Sequence, residues 1–229
     1  TLLLSVCGLF LFSGRLFAGN PLLMPSEAPY GAPRFDRIHA ADIMPAIEEG
    51  IRAYKAGIAK IRALDPAEAT FENVVVPLDR ADSLLDVPRA VLGYLKSNFG
   101  GDSIIRISLE SAQLTGEAYD AVTLDTAIFR LVKAVYDRRD AAGLDSLQLR
   151  TLGKVYRSYI RGGALCTPGQ KERLKELNRE ISLKRIRHGQ NITQATQEFV
   201  LYVQDSSLLD GLAGTTRQRF ARNAARQGH

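Results

Sequence analysis

Ile43, Ile47, Ile51, Tyr54, Ile58 and Ile61 follow one another at steps of four, four, three, four and three. Those steps place six apolar side chains on one stripe of an α-helix running from about Asp42 to Leu64. Asp42 reads as its N-cap and Asp65-Pro66 as its stop. A second helix is predicted from Thr70, whose hydroxyl can accept from an orphan backbone N–H, through Val74, Leu78, Ala81 and Leu85 towards Phe99. Pro77 and Pro88 interrupt that pattern, and a kink or break is expected near Asp86, because an internal proline removes a backbone bond and crowds the preceding turn. Gly100-Gly101 ends the segment, and Asp102 or Ser103 caps a third helix using Ile104, Ile107, Leu114 and Ala118. Further helical patterns cover about 125–142, 145–161 and 168–197, the last opened by Thr167 with Pro168 at the first helical position.

Only Glu198 to Gln204 has strand character, through Phe199, Val200, Leu201, Tyr202 and Val203. The fold class that follows is all-α, an antiparallel helical array with at most one short strand near residues 198–204. No repeat period appears, which argues against a solenoid. Ahead of the helices, residues 19–38 hold Pro21, Pro25, Pro29, Pro33, Gly19 and Gly31, a density expected of an extended arm over the surface. Residues 39–229 are then the helical domain.

Leu2 to Phe12 form an almost unbroken apolar run, followed by Ser13-Gly14-Arg15 and Leu16-Phe17-Ala18. The run is too short to span a bilayer as a helix, so no stable membrane anchor is expected, and it matches the apolar region of a secretory signal peptide. Residues 1–18 are read as that leader, cleaved after Ala18, which implies an exported, periplasmic protein; a buried N-terminal helix or strand is the alternative.

Charge divides the chain unevenly. Residues 1–150 carry 16 basic and 19 acidic side chains, and residues 151–229 carry 14 and 6. A basic second half suits an anionic partner, yet from Lys171 to Arg187 the signs interleave as on a solvated helix face. Tyr156 and Tyr159 beside Arg157 and Arg161 resemble a nucleic-acid surface only superficially, since Leu152, Val155 and Tyr159 share one helical stripe and fit packing better.

Catalytic patterns are missing. A zinc hydrolase of the helical kind needs two histidines four apart with a Glu beside the first. Here the three histidines, His39, His188 and His229, are widely scattered, and neither Cys7 nor Cys166 lies near one at ligand spacing. There is no Gly-x-Ser-x-Gly elbow and no Walker loop. Arg161-Gly162-Gly163-Ala164 follows a helix, so its expected role is a C-terminal stop. No catalytic, cofactor-binding or metal-ligating residue is therefore assigned.

Several segments nevertheless occur in a recognisable order. They are Asn20-Pro21-Leu22-Leu23, Pro29-Tyr30-Gly31 and Phe35-Asp36-Arg37-Ile38; Pro45-Ala46-Ile47-Glu48-Glu49-Gly50 and Thr70-Phe71-Glu72-Asn73; Ala134-Val135-Tyr136-Asp137-Arg138-Arg139-Asp140; Tyr156 to Leu165; and Lys171 to Gly189-Gln190-Asn191. In this order they resemble the N-terminal region of the thimet oligopeptidase and peptidyl-dipeptidase family of zinc metallopeptidases, over most of residues 20–212. Departures fall at Pro88, at Arg187-His188, where the family tends to place an aromatic residue, and at Ile192-Thr193, where it prefers apolar pairs.

The resemblance implies a neurolysin-like N-terminal helical domain forming one wall of a deep channel that admits short peptides. It also implies a zinc-binding His-Glu-x-x-His helix in a later, catalytic part, which would be this chain's partner. The chain itself is expected to be a truncated portion, without zinc or any other cofactor and inactive alone. Two rivals stand beside this reading: a free-standing helical peptide- or protein-binding module, and a basic nucleic-acid-binding protein supported by Arg217, Arg219, Arg222 and Arg226. No nucleic-acid partner is expected, and a titration with duplex DNA and with RNA at low salt, where phosphate contacts are strongest, is expected to show no binding.

Overall fold

The structure, a computed structural model, describes residues 19–226 and Gly228, apart from the side chain of Gln197. The leader expected over residues 1–18 and the histidine at 229 lie outside these residues. The described chain is helical throughout, with no strand. It divides into two compact units, one ending at Leu183 and the other beginning at Lys184.

In the first unit α1 (Ala40–Arg62) is the central element, packed against α2 (Val76–Arg80), α3 (Asp86–Asn98), α4 (Asp102–Thr123) and α5 (Thr126–Asp137). α6 (Ser146–Arg161) packs on α5, and α7 (Pro168–Glu198) begins here. All six residues of the predicted α1 stripe are buried, Ile43 and Ile47 completely. Burying such a side chain is worth ~1.5–3 kcal/mol, so this one stripe outweighs any intrinsic helix preference. The stripe meets Val74, Val75, Leu85, Val91, Ile128, Val132 and Leu152 in one continuous core.

Helix starts depart from the sequence reading in two places. His39, not Asp42, caps α1; Asp42 is the third helical residue, and its carboxylate accepts from the His39 N–H at 2.7 Å. Gly101, not Asp102 or Ser103, precedes α4, because the chain passes through φ +90° there, a value that side-chain-bearing residues rarely adopt. Thr70, Asp125 and Asp145 cap as the side-chain chemistry requires. Thr70 Oγ1 accepts from Asn73 N at 3.2 Å, while Asp145 accepts from Leu147 and Gln148 and Gln148 returns a bond to the Asp145 N–H.

The long second helix is broken. A π-helical turn at Phe71–Val75 leads into α2, a 3₁₀ turn at Ser83–Leu85 follows, and α3 starts at Asp86. Pro77 would set its ring against the carbonyl four residues back, and the wider turn, closed by Val76 N–H on Phe71 O, accommodates it. Pro88 falls in the first turn of α3, where an N–H has no helical acceptor anyway. The pattern expected over 125–142 also ends early, at Asp137, and continues as a 3₁₀ turn at Arg139–Ala141.

In the arm, turns replace a simply extended course, and its start is anchored. Buried Asn20 donates through Nδ2 to Asp42 O at 2.8 Å and accepts from Leu22 N–H at 3.0 Å, which fixes buried Leu22 against the core. α6 ends as the glycines require. Gly163 stands at φ +96°, its N–H bonds Ile160 O at 3.1 Å, and Ala164 N–H bonds Tyr159 O at 2.9 Å, which closes a Schellman motif.

The second unit holds the rest of α7, a 3₁₀ turn at Ser206–Leu209 and α8 (Gly214–Arg226). Of residues 198–204, read as β-prone, Glu198 ends α7 and 199–204 have no regular structure: a lone strand has no ladder partner here. Among the described residues no helix is long and apolar enough to cross a membrane.

Two substitutions test the packing. A Cβ at Gly50 would stand 2.5 Å from Leu85 Cδ2, and Leu85 is fully buried and cannot withdraw. Gly50→Ala is expected to lower stability by about 1–2 kcal/mol, the overpacking exceeding the gain in helix preference. Arg138 donates to the carbonyls of Pro66, Ala67 and Ala69 at 2.9, 2.7 and 2.6 Å, tying the loop after α1 to the end of α5. Arg138→Ala is expected to cost about 1–2 kcal/mol, Arg138→Lys nearly as much because an ammonium lacks the planar fork. Urea unfolding of each variant measures both.

Candidate functional site

His39 is exposed at the start of α1 and His188 is exposed on α7. Among the described residues no group of three or more His, Cys, Asp or Glu side chains comes close enough to hold one metal ion. The donor set a zinc centre requires is not assembled by these residues.

The polar chemistry that tertiary structure does assemble lies in the first unit. Tyr119 on α4 donates its hydroxyl to Asp82 Oδ2 at 2.7 Å and accepts from Arg89 on α3 at 2.9 Å. Its ring meets that of Tyr54 edge to face at 5.2 Å. Burial, helped by the bond to Asp82, pushes the Tyr119 hydroxyl up to about 12, against the opposing pull of Arg89. Burial likewise raises Tyr54 and Tyr159 above the ordinary phenol range, with the Asp125 charge adding to the effect on Tyr159. These phenols stay protonated at neutral pH, and the bonds of Tyr119 to Asp82 and Arg89 tie α4 to the segments on either side of the turn at Ser83–Leu85.

A second assembly stacks aromatic rings between α5 and α6. Tyr136 and Tyr156 lie parallel at 4.0 Å, Phe129 continues the stack at 5.9 Å from Tyr156, and the Arg139 guanidinium covers Tyr136 at 4.3 Å. Tyr156 and Tyr159 are thus packing residues, as their helical spacing predicts, with Leu152 fully buried beneath them.

One open concavity of this unit is a cleft of about 530 Å³ where α4, α5 and α7 converge, lined among others by Leu124, Thr126, Cys166 and Lys171. Lys171 is already committed: its Nζ donates to Leu124 O at 2.7 Å and Thr126 Oγ1 at 2.9 Å, placing a cation on the C-terminal end of α4. Lys175, also on the rim, pairs with Glu172 at 2.7 Å. Both ammonium groups at this cleft are thus engaged by neighbouring oxygens, Lys171 at the end of α4 and Lys175 on Glu172. In the arm, the bidentate Arg34 guanidinium, at 2.9 and 2.7 Å, holds the exposed Asp36 carboxyl down to about 2.

Sequence spacing could not find the Tyr119–Asp82–Arg89 contact or the Arg138 clamp, because their partners are separated by 30 to 72 residues. The one available signal was the motif containing Tyr136 to Asp140, which includes Arg138 and Arg139.

The described residues form an all-helical structure in which the assembled polar groups join helix ends. No family model matches the chain. It is 32% identical over 212 residues to a dipeptidyl carboxypeptidase of Salmonella typhimurium, a stretch covering 91% of this chain and 30% of that protein. It is 30% identical over 194 residues to a dipeptidyl carboxypeptidase of Escherichia coli, covering 85% of this chain and 28% of that protein. The chain is therefore a homologue of dipeptidyl carboxypeptidases along nearly all of its length, and it spans less than a third of theirs.

Alkaline titration tests the buried phenols. A folded-state value above the unfolded one contributes stability that is complete below the unfolded value near 10 and is lost as pH rises through the folded value. For Tyr119 that window runs from about pH 10 to 12. Absorbance of the folded chain at the phenolate band is expected to rise late and together with unfolding, and Tyr119→Phe is expected to make unfolding less steep in pH over that window. An unchanged slope would remove the protonated Tyr119–Asp82 bond from the account.

Proposed function

We propose that this chain is the helical, channel-wall part of a peptidyl-dipeptidase-like zinc metallopeptidase, and that hydrolysis of short peptides is carried out by a catalytic part outside this sequence. The match to dipeptidyl carboxypeptidases along 91% of the chain carries the reading. The rigid core around α1 suits a wall that presents a fixed surface, since packed helices resist deformation. His39 and His188 lie 149 residues apart on separate helices, so zinc would be held by residues of the other part, where it would polarise the peptide carbonyl and lower the pKa of its bound water. What this chain contributes is position: a surface that confines an unfolded oligopeptide and excludes a folded protein. The apolar run at Leu2–Phe12 supports export to the periplasm, with removal of the first 18 residues.

The test is hydrolysis of short fluorogenic peptides. Residues 19–229 alone are expected to show no turnover with or without added zinc and to hold no stoichiometric metal. A longer protein, in which this chain is joined to a part bearing His-Glu-x-x-His, is expected to cleave the same peptides and to lose that activity to a chelator. Metal-dependent cleavage by residues 19–229 alone would overturn the division of labour. Export is checked by locating the mature protein in the periplasmic fraction with Gly19 at its N-terminus.

A further inference from the structure

In the first unit, α6 contains no acidic residue and four basic ones, Arg150, Lys154, Arg157 and Arg161. They recur at steps of four, three and four, which on a helix turning ~100° per residue gathers them within an arc of about 60°. All four are exposed, and Leu147, 70% exposed, lies beside them one turn earlier. Among the described residues no ion pair reaches any of the four. The acidic groups at the start of the helix are turned to other donors: Asp145 accepts from the N–H groups of Leu147 and Gln148, and Glu72 accepts from Gln148 Nε2 at 3.4 Å. Arg157 lies back along its own helix, where a Cβ at Gly153 would stand 3.3 Å from its Nη1, so its guanidinium stays on α6.

This arrangement is unfavourable for the helix by itself. Like charges three and four apart repel, and the ridge has three such pairs in succession. The helix macrodipole favours Arg161, in the last turn, but not Arg150, near the first turn, nor Lys154 at mid-helix. At the start of α7 the same chain balances its charges, Arg173 pairing with Glu176 at 2.8 Å and Lys175 with Glu172 at 2.7 Å. On α6 no such balance exists, so the positive field of the ridge is left for an anionic partner to neutralise.

The chemistry around the ridge selects that partner. A single-stranded nucleic acid stacks its bases on exposed rings, and the rings of α6 are committed elsewhere: Tyr156 is stacked on Tyr136 at 4.0 Å and Tyr159 is buried. A helix that lies on a membrane sinks its apolar face into lipid, whereas Leu152, Val155 and Tyr159 of α6 belong to the protein core. An extended acidic polypeptide needs neither feature. Its side chains on one face recur every ~6.5–7 Å, the cations of the ridge stand ~4.5–6 Å apart along the helix axis, and long basic side chains absorb the difference. Leu147 adds an apolar neighbour at one end.

We propose that the exposed ridge of α6 is a docking site for acidic stretches of extended peptides, its four cations facing alternate carboxylates. The choice of peptides as the class rests on the function proposed above.

Fluorescence anisotropy with a labelled peptide of Glu-Ala repeats tests it on the 229-residue chain at low salt. This peptide is expected to bind at least about tenfold more tightly than one of Gln-Ala repeats, and to lose about tenfold in affinity when salt rises from about 20 to about 200 mM. Arg150→Gln with Lys154→Gln, and separately Arg157→Gln with Arg161→Gln, are expected to weaken binding at least about tenfold without lowering the melting temperature. Arg222→Gln with Arg226→Gln on α8 removes the same charge and is expected to weaken binding less than about twofold. A further readout needs no variant: saturating Glu-Ala peptide is expected to slow acetylation of Lys154 about tenfold and to leave that of exposed Lys55 on α1 unchanged. Equal binding of the two peptides, an equal loss from the α8 pair, or an unprotected Lys154 overturns the proposal. Tighter binding of phosphatidylglycerol vesicles or of single-stranded DNA, abolished by the α6 pairs, assigns the ridge to that partner and overturns it too. If a longer protein bearing His-Glu-x-x-His is a chelator-sensitive peptidase while this chain shows no preference for Glu-Ala, the ridge fails and the peptidase reading stands. Glu-Ala docking on α6 with no peptidase activity in that longer protein gives the reverse.

Discussion

The apolar stripe of α1 is the constraint on which the first unit depends. Six side chains from Ile43 to Ile61 are removed from water only if α2, α3, α4 and α5 all close on the same helix. Gly50 sits within that stripe and lacks the one carbon that would collide with Leu85, which lets the 3₁₀ turn at Ser83–Leu85 lie directly on the α1 backbone. The break in the long second helix is part of the same solution. A continuous helix through Pro77 and Pro88 would carry Leu85 away from Gly50, whereas the turns between α2 and α3 bring it in.

Around that core, polar groups fix the ends of the elements. Arg138 satisfies three carbonyls of the loop after α1, Lys171 sits on the end of α4, and Asp125 both caps α5 and pairs with Arg62 at 3.1 Å. Apart from the local Asp125 cap, each bond joins segments that are close in space and far apart in the chain. Individually they contribute little in solvent, but they leave few helix ends unsatisfied. These polar residues of the first unit hold the ends of its helices in place.

Homology to dipeptidyl carboxypeptidases gives these structural features a setting. The first unit buries the apolar stripe of α1, while in the second unit Phe199, Leu201 and Leu208 are largely exposed.

Sequence alone determined the helical class, the α1 stripe, the cap at Thr70, the stop at Gly162-Gly163 and the resemblance to a peptidase family. All of these are written in local spacing, or in motifs whose order survives without the fold. The break near Asp86 was legible too, from Pro77 and Pro88; what sequence did not determine is that His39 precedes α1, that Gly101 precedes α4, or that a π-helical turn leads into α2. Those outcomes depend on which backbone can approach which, and close approach is a property of two segments at once. The same reason hid the Tyr119–Asp82–Arg89 contact and the Arg138 clamp, and left Phe199–Val203 without the strand its side chains favour: a strand exists only where another backbone is present to bond it.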